Sequence, residues 1–243
     1  MRRATALIAI LLAALMSSAC GKDSSIADRE TTSKEPDGTV ATTTSPAPRS
    51  ANDGCQAVPP PVPAQEPSAT RSSTKLSPKR RHVAVLETNC GEIRILLDVK
   101  DAPKTTASFA GLVRTGFYDG LTFHRIAKPG GNDYVIQGGD PLGTGNGGPG
   151  YSVVEKPPKD TRYVRGSVAM AKAPAEEAGT SGSQFFIVTA ADTPLPPDYA
   201  VLGRVLGETD AVRRIASLTT DPVSEMPLDP VVIERIRLED TRL

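Results

Sequence analysis

The chain has 243 residues, enough for one domain or two, and its 28 Lys plus Arg balance 28 Asp plus Glu. A formal net charge of zero leaves no basic footprint of the kind that nucleic-acid binding requires, so no nucleic-acid partner is expected. Three cysteines and two histidines, with no CxxC spacing and no Cys/His pairing, exclude the usual metal-binding patterns, and neither a metal nor another cofactor is expected.

Residues 1–20 begin with Arg2 and Arg3, continue through the apolar run ALIAILLAALM and end in small residues before Cys20, the pattern of a secretory signal. The apolar part is short for a membrane-spanning helix, which needs about 20 such residues. The SSAC-Gly stretch resembles the lipobox of bacterial lipoproteins, with Ser17 where that motif usually has Leu. The resemblance implies lipid attachment at Cys20 and a position on the outer face of the bacterial cell membrane; simple cleaved export is the alternative. Residues 21–81 are rich in Ser, Thr, Pro, Asp and Ala, too poor in large apolar side chains to offset their ordering entropy, and read as a disordered tether. Its last residues, KLSPKRR, are a solvated basic run. With Cys20 assigned to lipid, Cys55 and Cys90 remain. In an exported protein they are expected to form a disulfide rather than stay free thiols.

The remaining stretch, 82–243, carries the folded domain. HVAVLETNCGEIRILLDV reads as a hairpin in which Ile93, Ile95 and Leu97 alternate with polar neighbours, with Asn89 and Gly91 suited to positive φ in the turn. In DAPKTTASFAGLVRTG, Pro103 suits a first helical turn, Phe109, Leu112 and Val113 recur at helical spacing, and Gly116 stops the helix. FHRIAKPGGNDYVIQGGD reads as two short strands around a Pro129–Gly130–Gly131 turn. Alternation along a strand places Phe123 with Arg125 on one side and Val135 with Gln137 on one side of the next. His124 then faces away from Arg125 and reads as a structural hydrogen-bonding residue. PLGTGNGGPGY is a glycine-rich loop that lacks the Lys and Ser/Thr of a phosphate loop. YVRGSVAMAKA, SQFFIVTA, YAVLGRVLG and DPVVIERIRL read as further strands, and ETDAVRRIASL as a second helix. In SQFFIVTA, Gln184 and Phe186 face one way, Phe185 and Ile187 the other. About eight strands, two isolated helices and no βαβ repeat indicate a mainly β fold, a closed eight-stranded antiparallel barrel with two α-helices.

The ordered blocks APKT, GFYDGLTFHR, VIQGGD, GTGNGGPGY, GSQFFI and VLGRV followed by a helix resemble the cyclophilin family of peptidyl-prolyl isomerases, from about His82 to Leu238. That resemblance implies a barrel closed at each end by a helix, with an active groove on its outer surface. Position by position, it implies that Arg125 is the catalytic arginine and Gln137 its hydrogen-bonding companion. Phe123, Tyr134, Val135, Ala171, Gln184, Phe186, Leu195 and Tyr199 are the implied substrate-binding residues. Several positions depart from the family pattern. Tyr134 stands where the family usually has Phe, Val135 where it has Met, Tyr199 near a histidine position and Lys172 at an asparagine. The chain has no tryptophan, Pro194 lying roughly where the family's indole would be. These departures weaken the expectation of cyclosporin binding.

Taken with the signal segment and lipobox-like stretch, the resemblance implies a folding catalyst that rotates X-Pro bonds in exported proteins, working as a monomer on proline-containing segments and held to the membrane through a lipid anchor. A non-catalytic module that holds proline peptides in the same groove is the alternative. Ser183 has no plausible His and Asp partners, which speaks against a hydrolase triad.

Overall fold

The computed structural model describes residues 54–59, 68–207 and 210–242. The expected signal segment, Cys20 and most of the expected tether lie outside them. The described chain is mainly β, as expected. In order the elements are β1 (Arg80–Thr88), β2 (Gly91–Leu97), α1 (Pro103–Arg114), β3 (Arg125–Ala127) and β4 (Val135–Gly138). There follow β5 (Val153–Val154), β6 (Ser167–Met170), β7 (Thr180–Ser181), β8 (Phe185–Val188), β9 (Val201–Val205), α2 (Asp210–Ser217) and β10 (Ile233–Arg242). Eight strands form one antiparallel sheet in the order β10-β1-β2-β9-β6-β8-β4-β3, and β5 with β7 makes a separate two-stranded ribbon.

The sheet curls, and its edge strands β3 and β10 share no ladder. Instead the segment before β3 is laced to the start of β10: the amides of Gly120 and Phe123 donate to the carbonyls of Ile233 and Val231, and Ile233 N–H returns to Leu121. The alternation read from the sequence explains the interior. Leu86, Ile93, Ile95, Ile136, Phe185 and Ile187 point inward and are buried, while α1 adds Phe109 and Leu112 and α2 adds Ile215. Side chains of opposite parity on β4, β6 and β8, Val135, Ala169, Phe186 and Val188, form a second apolar cluster on the outside of the same sheet.

Several expectations need correction. Phe123 does not share a side with Arg125: it is fully buried in the central core, edge-on to Phe185 at 5.8 Å. The strand begins only at Arg125, so the backbone before it does not keep the two-residue alternation. In the β1–β2 turn Gly91 has a positive φ, whereas Asn89 does not. Asn89 instead serves as a staple, its amide donating to Gln56 and Pro230 carbonyls and its oxygen accepting Val232 N–H. The expected tether boundary at residue 81 falls too late. Residues 68–79 lie on the domain, with Leu76 buried in the core and Ala69 N–H bonded to Pro149 O. Ser72 packs so closely over α1 that a Cβ on Gly111 would stand 2.5 Å from it. A disulfide joins Cys55 to Cys90, as expected.

Two side chains define how loops and core depend on each other. The residue preceding α1, Ala102, offers no side-chain cap, so the first amides of the helix would be orphaned. Glu155, about fifty positions further along, supplies both acceptors, taking Lys104 N–H at 3.0 Å and Thr105 N–H at 2.7 Å. A carboxylate here also complements the helix dipole. His124 is buried, and its ring nitrogens meet no described partner in good hydrogen-bond geometry, the Thr122 backbone contributing only a weak, secondary interaction to the expected hydrogen-bonding role. Burial is the main cause that lowers its pKa; nearby Arg125 adds to the effect and Asp140 opposes it.

Glu155→Ala is expected to lower the unfolding free energy by about 1–2 kcal/mol, the usual worth of an N-cap, measured by denaturant titration. His124 remains neutral in the folded state where the unfolded chain, near its ordinary pKa of about 6.5, takes up a proton. Its stabilising contribution is therefore complete above about pH 6.5 and is lost as pH falls through the depressed folded-state value. His124→Phe is expected to flatten this acid limb when unfolding midpoints are compared at neutral and mildly acidic pH.

Candidate active site

Register assembles the site. Arg125 on β3 is directly opposite Gln137 on β4, Gln137 is opposite Phe186 on β8, and Phe186 is opposite Ala169 on β6. Because these four share one parity, a cation, an amide, an aromatic ring and a methyl group line up across the outer face of the sheet. The neighbouring row on the same face carries Ala127, Val135 and Val188. This is the apolar floor.

Around it stand Tyr134, Ala171, Leu195 and Tyr199, all partly buried and all packed on the floor. Tyr199 meets Phe186 nearly at right angles with centroids 5.3 Å apart. Lys172 closes the rim, its ammonium 5.8 Å from the Tyr199 ring centroid and bonded to the carbonyls of Ala173 and Glu176. Pro194 is exposed beside Leu195. Of the site residues expected from the sequence, all but Phe123 therefore gather on one surface.

A polar chain borders this floor. The Arg125 Nη1–H donates to Gln137 Oε1 at 3.2 Å, Gln137 Nε2–H donates to Gln184 Oε1 at 2.9 Å, and Gln184 Nε2–H donates to the carbonyls of Gly145 and Gly147. The direction of every link follows from the first, because a guanidinium can only donate. The glycine-rich loop thus receives the far end of the chain rather than a phosphate. Asp140 shapes that loop by accepting the amides of Leu142, Thr144 and Gly145, and a side chain at Gly147 would collide with the same carboxylate. A hollow of about 440 Å³ adjoins Gln184, bounded by the glycine loop on one side and Lys172 on the other.

Two participants were not foreseen from the sequence. Tyr163 is buried beneath the floor; its hydroxyl donates to Tyr199 O at 2.6 Å and accepts Tyr199 N–H at 3.1 Å, so it fixes the backbone that carries a rim aromatic. Burial pushes its phenol up to about 12. Glu225 accepts the Arg125 Nε–H at 2.6 Å. Tyr163 carried a faint signal, an aromatic at the head of an apolar alternating run, whereas Glu225 carried none.

The arrangement offers a shallow apolar socket with a fixed cation at its edge. Ser183 is fully buried and donates to Gly139 O, so it presents no nucleophile. Residues 83–238 match the family model for cyclophilin type peptidyl-prolyl cis-trans isomerases. A probable peptidyl-prolyl cis-trans isomerase A of Mycobacterium bovis is 37% identical over 179 residues, covering 67% of this chain and 94% of the relative. Peptidyl-prolyl cis-trans isomerase B of Streptomyces anulatus is 37% identical over 174 residues, covering 64% and 95%. The crystal structure of a Cryptosporidium parvum cyclophilin type peptidyl-prolyl cis-trans isomerase in the presence of the dipeptide Ala-Pro superposes with a TM-score of 0.59 at 29% identity, covering 65% of this chain and 99% of that one. The row across the outer sheet face, the socket beside it and these matches have one source: the chain belongs to the cyclophilin-type peptidyl-prolyl cis-trans isomerase family.

Proposed function

We propose that this isomerase works outside the cell membrane, tethered through lipid on Cys20, where it speeds X-Pro rotation in newly exported proteins. The reaction makes and breaks no covalent bond. Its barrier of ~18–20 kcal/mol is the loss of amide resonance as the bond twists. A catalyst therefore needs to hold the proline ring, hold the chain on either side, and favour the twisted nitrogen.

In this reading the pyrrolidine ring sits on Val135, Phe186 and Leu195, with Tyr134 and Tyr199 as walls. The Ala-Pro dipeptide present with the Cryptosporidium relative supports proline-containing peptides as the ligand class. As conjugation is lost, the imide nitrogen becomes a better acceptor, so a hydrogen bond from Arg125 strengthens only on the way to the transition state. Arg125 has five N–H donors; among the described residues Glu225 and Gln137 engage one each, and the other three are available to substrate. Gln137 and Gln184 hold the guanidinium in register, a preorganising role. The observation that carries this reading is the pairing of Arg125 with Gln137 directly beside the Phe186 floor.

Export and anchoring rest on the sequence of residues 1–20. Cys20→Ser is expected to abolish incorporation of labelled fatty acid and to release the protein from the membrane fraction; equal membrane retention without label would overturn the anchor. For the chemistry, Arg125→Ala is expected to reduce kcat/KM for a cis-proline peptide about 10²–10³-fold, the typical loss of one transition-state donor. Peptide affinity should change little, because the apolar socket is intact. An inert wild-type protein that still binds proline peptides would instead identify a recognition module.

A further inference from the structure

Among the described residues, Glu225 is the one non-glycine side chain whose backbone has a positive φ, 58°. Such a conformation is unfavourable for any residue with a Cβ and persists only when its surroundings enforce it. Here they do. Asp221 Oδ1 accepts the amides of Val223 and Ser224 and the Ser224 hydroxyl, Glu225 N–H donates to Asp221 O, and Asp221 N–H donates to Met226 O. Thr220 bridging to Pro227 closes the base of the loop.

Glu225 hangs this loop on β3 through two groups. Its carbonyl accepts Ile126 N–H at 2.8 Å, and its carboxylate accepts Arg125 Nε–H at 2.6 Å. Glycine would fit the backbone without strain but would lack the carboxylate. Strain has been kept at the residue that touches the catalytic arginine.

We propose that Glu225 is a positioning residue for the isomerisation: it grips the Nε edge of Arg125 while Gln137 grips Nη1, fixing the guanidinium plane from two sides. With one anchor the planar group could still pivot about that bond; with two, its three remaining donors keep one orientation. The entropy of orienting them is then lost on folding rather than on reaching the transition state. The proposal rests on the isomerase reading of Arg125.

The test compares Glu225→Gly, Glu225→Gln and Arg125→Ala in the full chain, using a cis-proline peptide and thermal unfolding. Glu225→Gly relieves the backbone strain and removes the acceptor. It is expected to show a Tm at or above wild type and a kcat about tenfold lower, with KM nearly unchanged. Glu225→Gln keeps an acceptor oxygen and is expected to recover kcat to within about threefold of wild type. The Arg125 Nε–Hε resonance, resolved in wild type and Glu225→Gln, should collapse into the averaged signal of solvent-exposed arginines in Glu225→Gly. A merely structural ion pair would lower Tm and leave kcat alone. Wild-type kcat in Glu225→Gly, or an unchanged Nε–Hε resonance there, would overturn the proposal. An inactive wild type would overturn the isomerase reading itself, and loss of activity in Arg125→Ala alone would leave that reading standing without Glu225.

Discussion

The cross-strand pair Arg125 and Gln137 is the constraint on which the rest of the site depends. Opposite residues in an antiparallel pair present side chains to the same face, so the register of β3 on β4 decides whether a guanidinium and an amide can meet at all. A slip of one residue would send Ile126 or Ile136 to the outer face and turn the cation inward. That slip is opposed from inside, because Ile126 and Ile136 are both fully packed in the core. Core burial therefore sets the alignment of the surface chemistry.

From this pair a polarised chain runs through Gln137 and Gln184 into the glycine-rich loop. Each amide accepts on one side and donates on the other, so no member can flip without leaving two partners unsatisfied. The loop's glycines serve geometry: they let the backbone wrap round the Asp140 carboxylate and turn two carbonyls toward Gln184. The charge at one end of the groove and the irregular backbone at the other are thus parts of a single hydrogen-bonded system.

What could be read from the sequence follows the range over which each signal acts. The barrel class, the helices and the Val135/Gln137 and Gln184/Phe186 pairs rest on alternation within one short segment, and they appear in the structure as read. Phe123 was misassigned because alternation was carried two residues past the point where β3 begins. His124 was read as a hydrogen-bonding residue because alternation turns it away from Arg125, and the fold does turn it inward, where its ring nitrogens meet no partner in good geometry. Glu155, Tyr163 and Glu225 act on backbone or side chains 51, 36 and 100 positions away. All three sit outside regular elements, where no periodicity marks a residue's orientation. The cap of α1 comes from Glu155 rather than from the adjoining Ala102, and nothing near the helix in the chain marks which side chain supplies it.

The Cys55–Cys90 bond also determines how the domain bears load. A pull from the N-terminal side reaches the barrel across sulfur, at the turn between β1 and β2, and residues 56–89 lie off the path of tension. That turn is braced by Asn89, which ties it to Gln56 on one side and to Pro230 and Val232 on the other. With the bond reduced, the same pull would fall first on Gln56, then on Ala69 and the buried Leu76, and once these gave way on Arg80, the terminal residue of the β1–β10 ladder, which would peel from its end. The disulfide is a mechanical bypass that shields the longest strand pair of the barrel from whatever tugs on the chain before it.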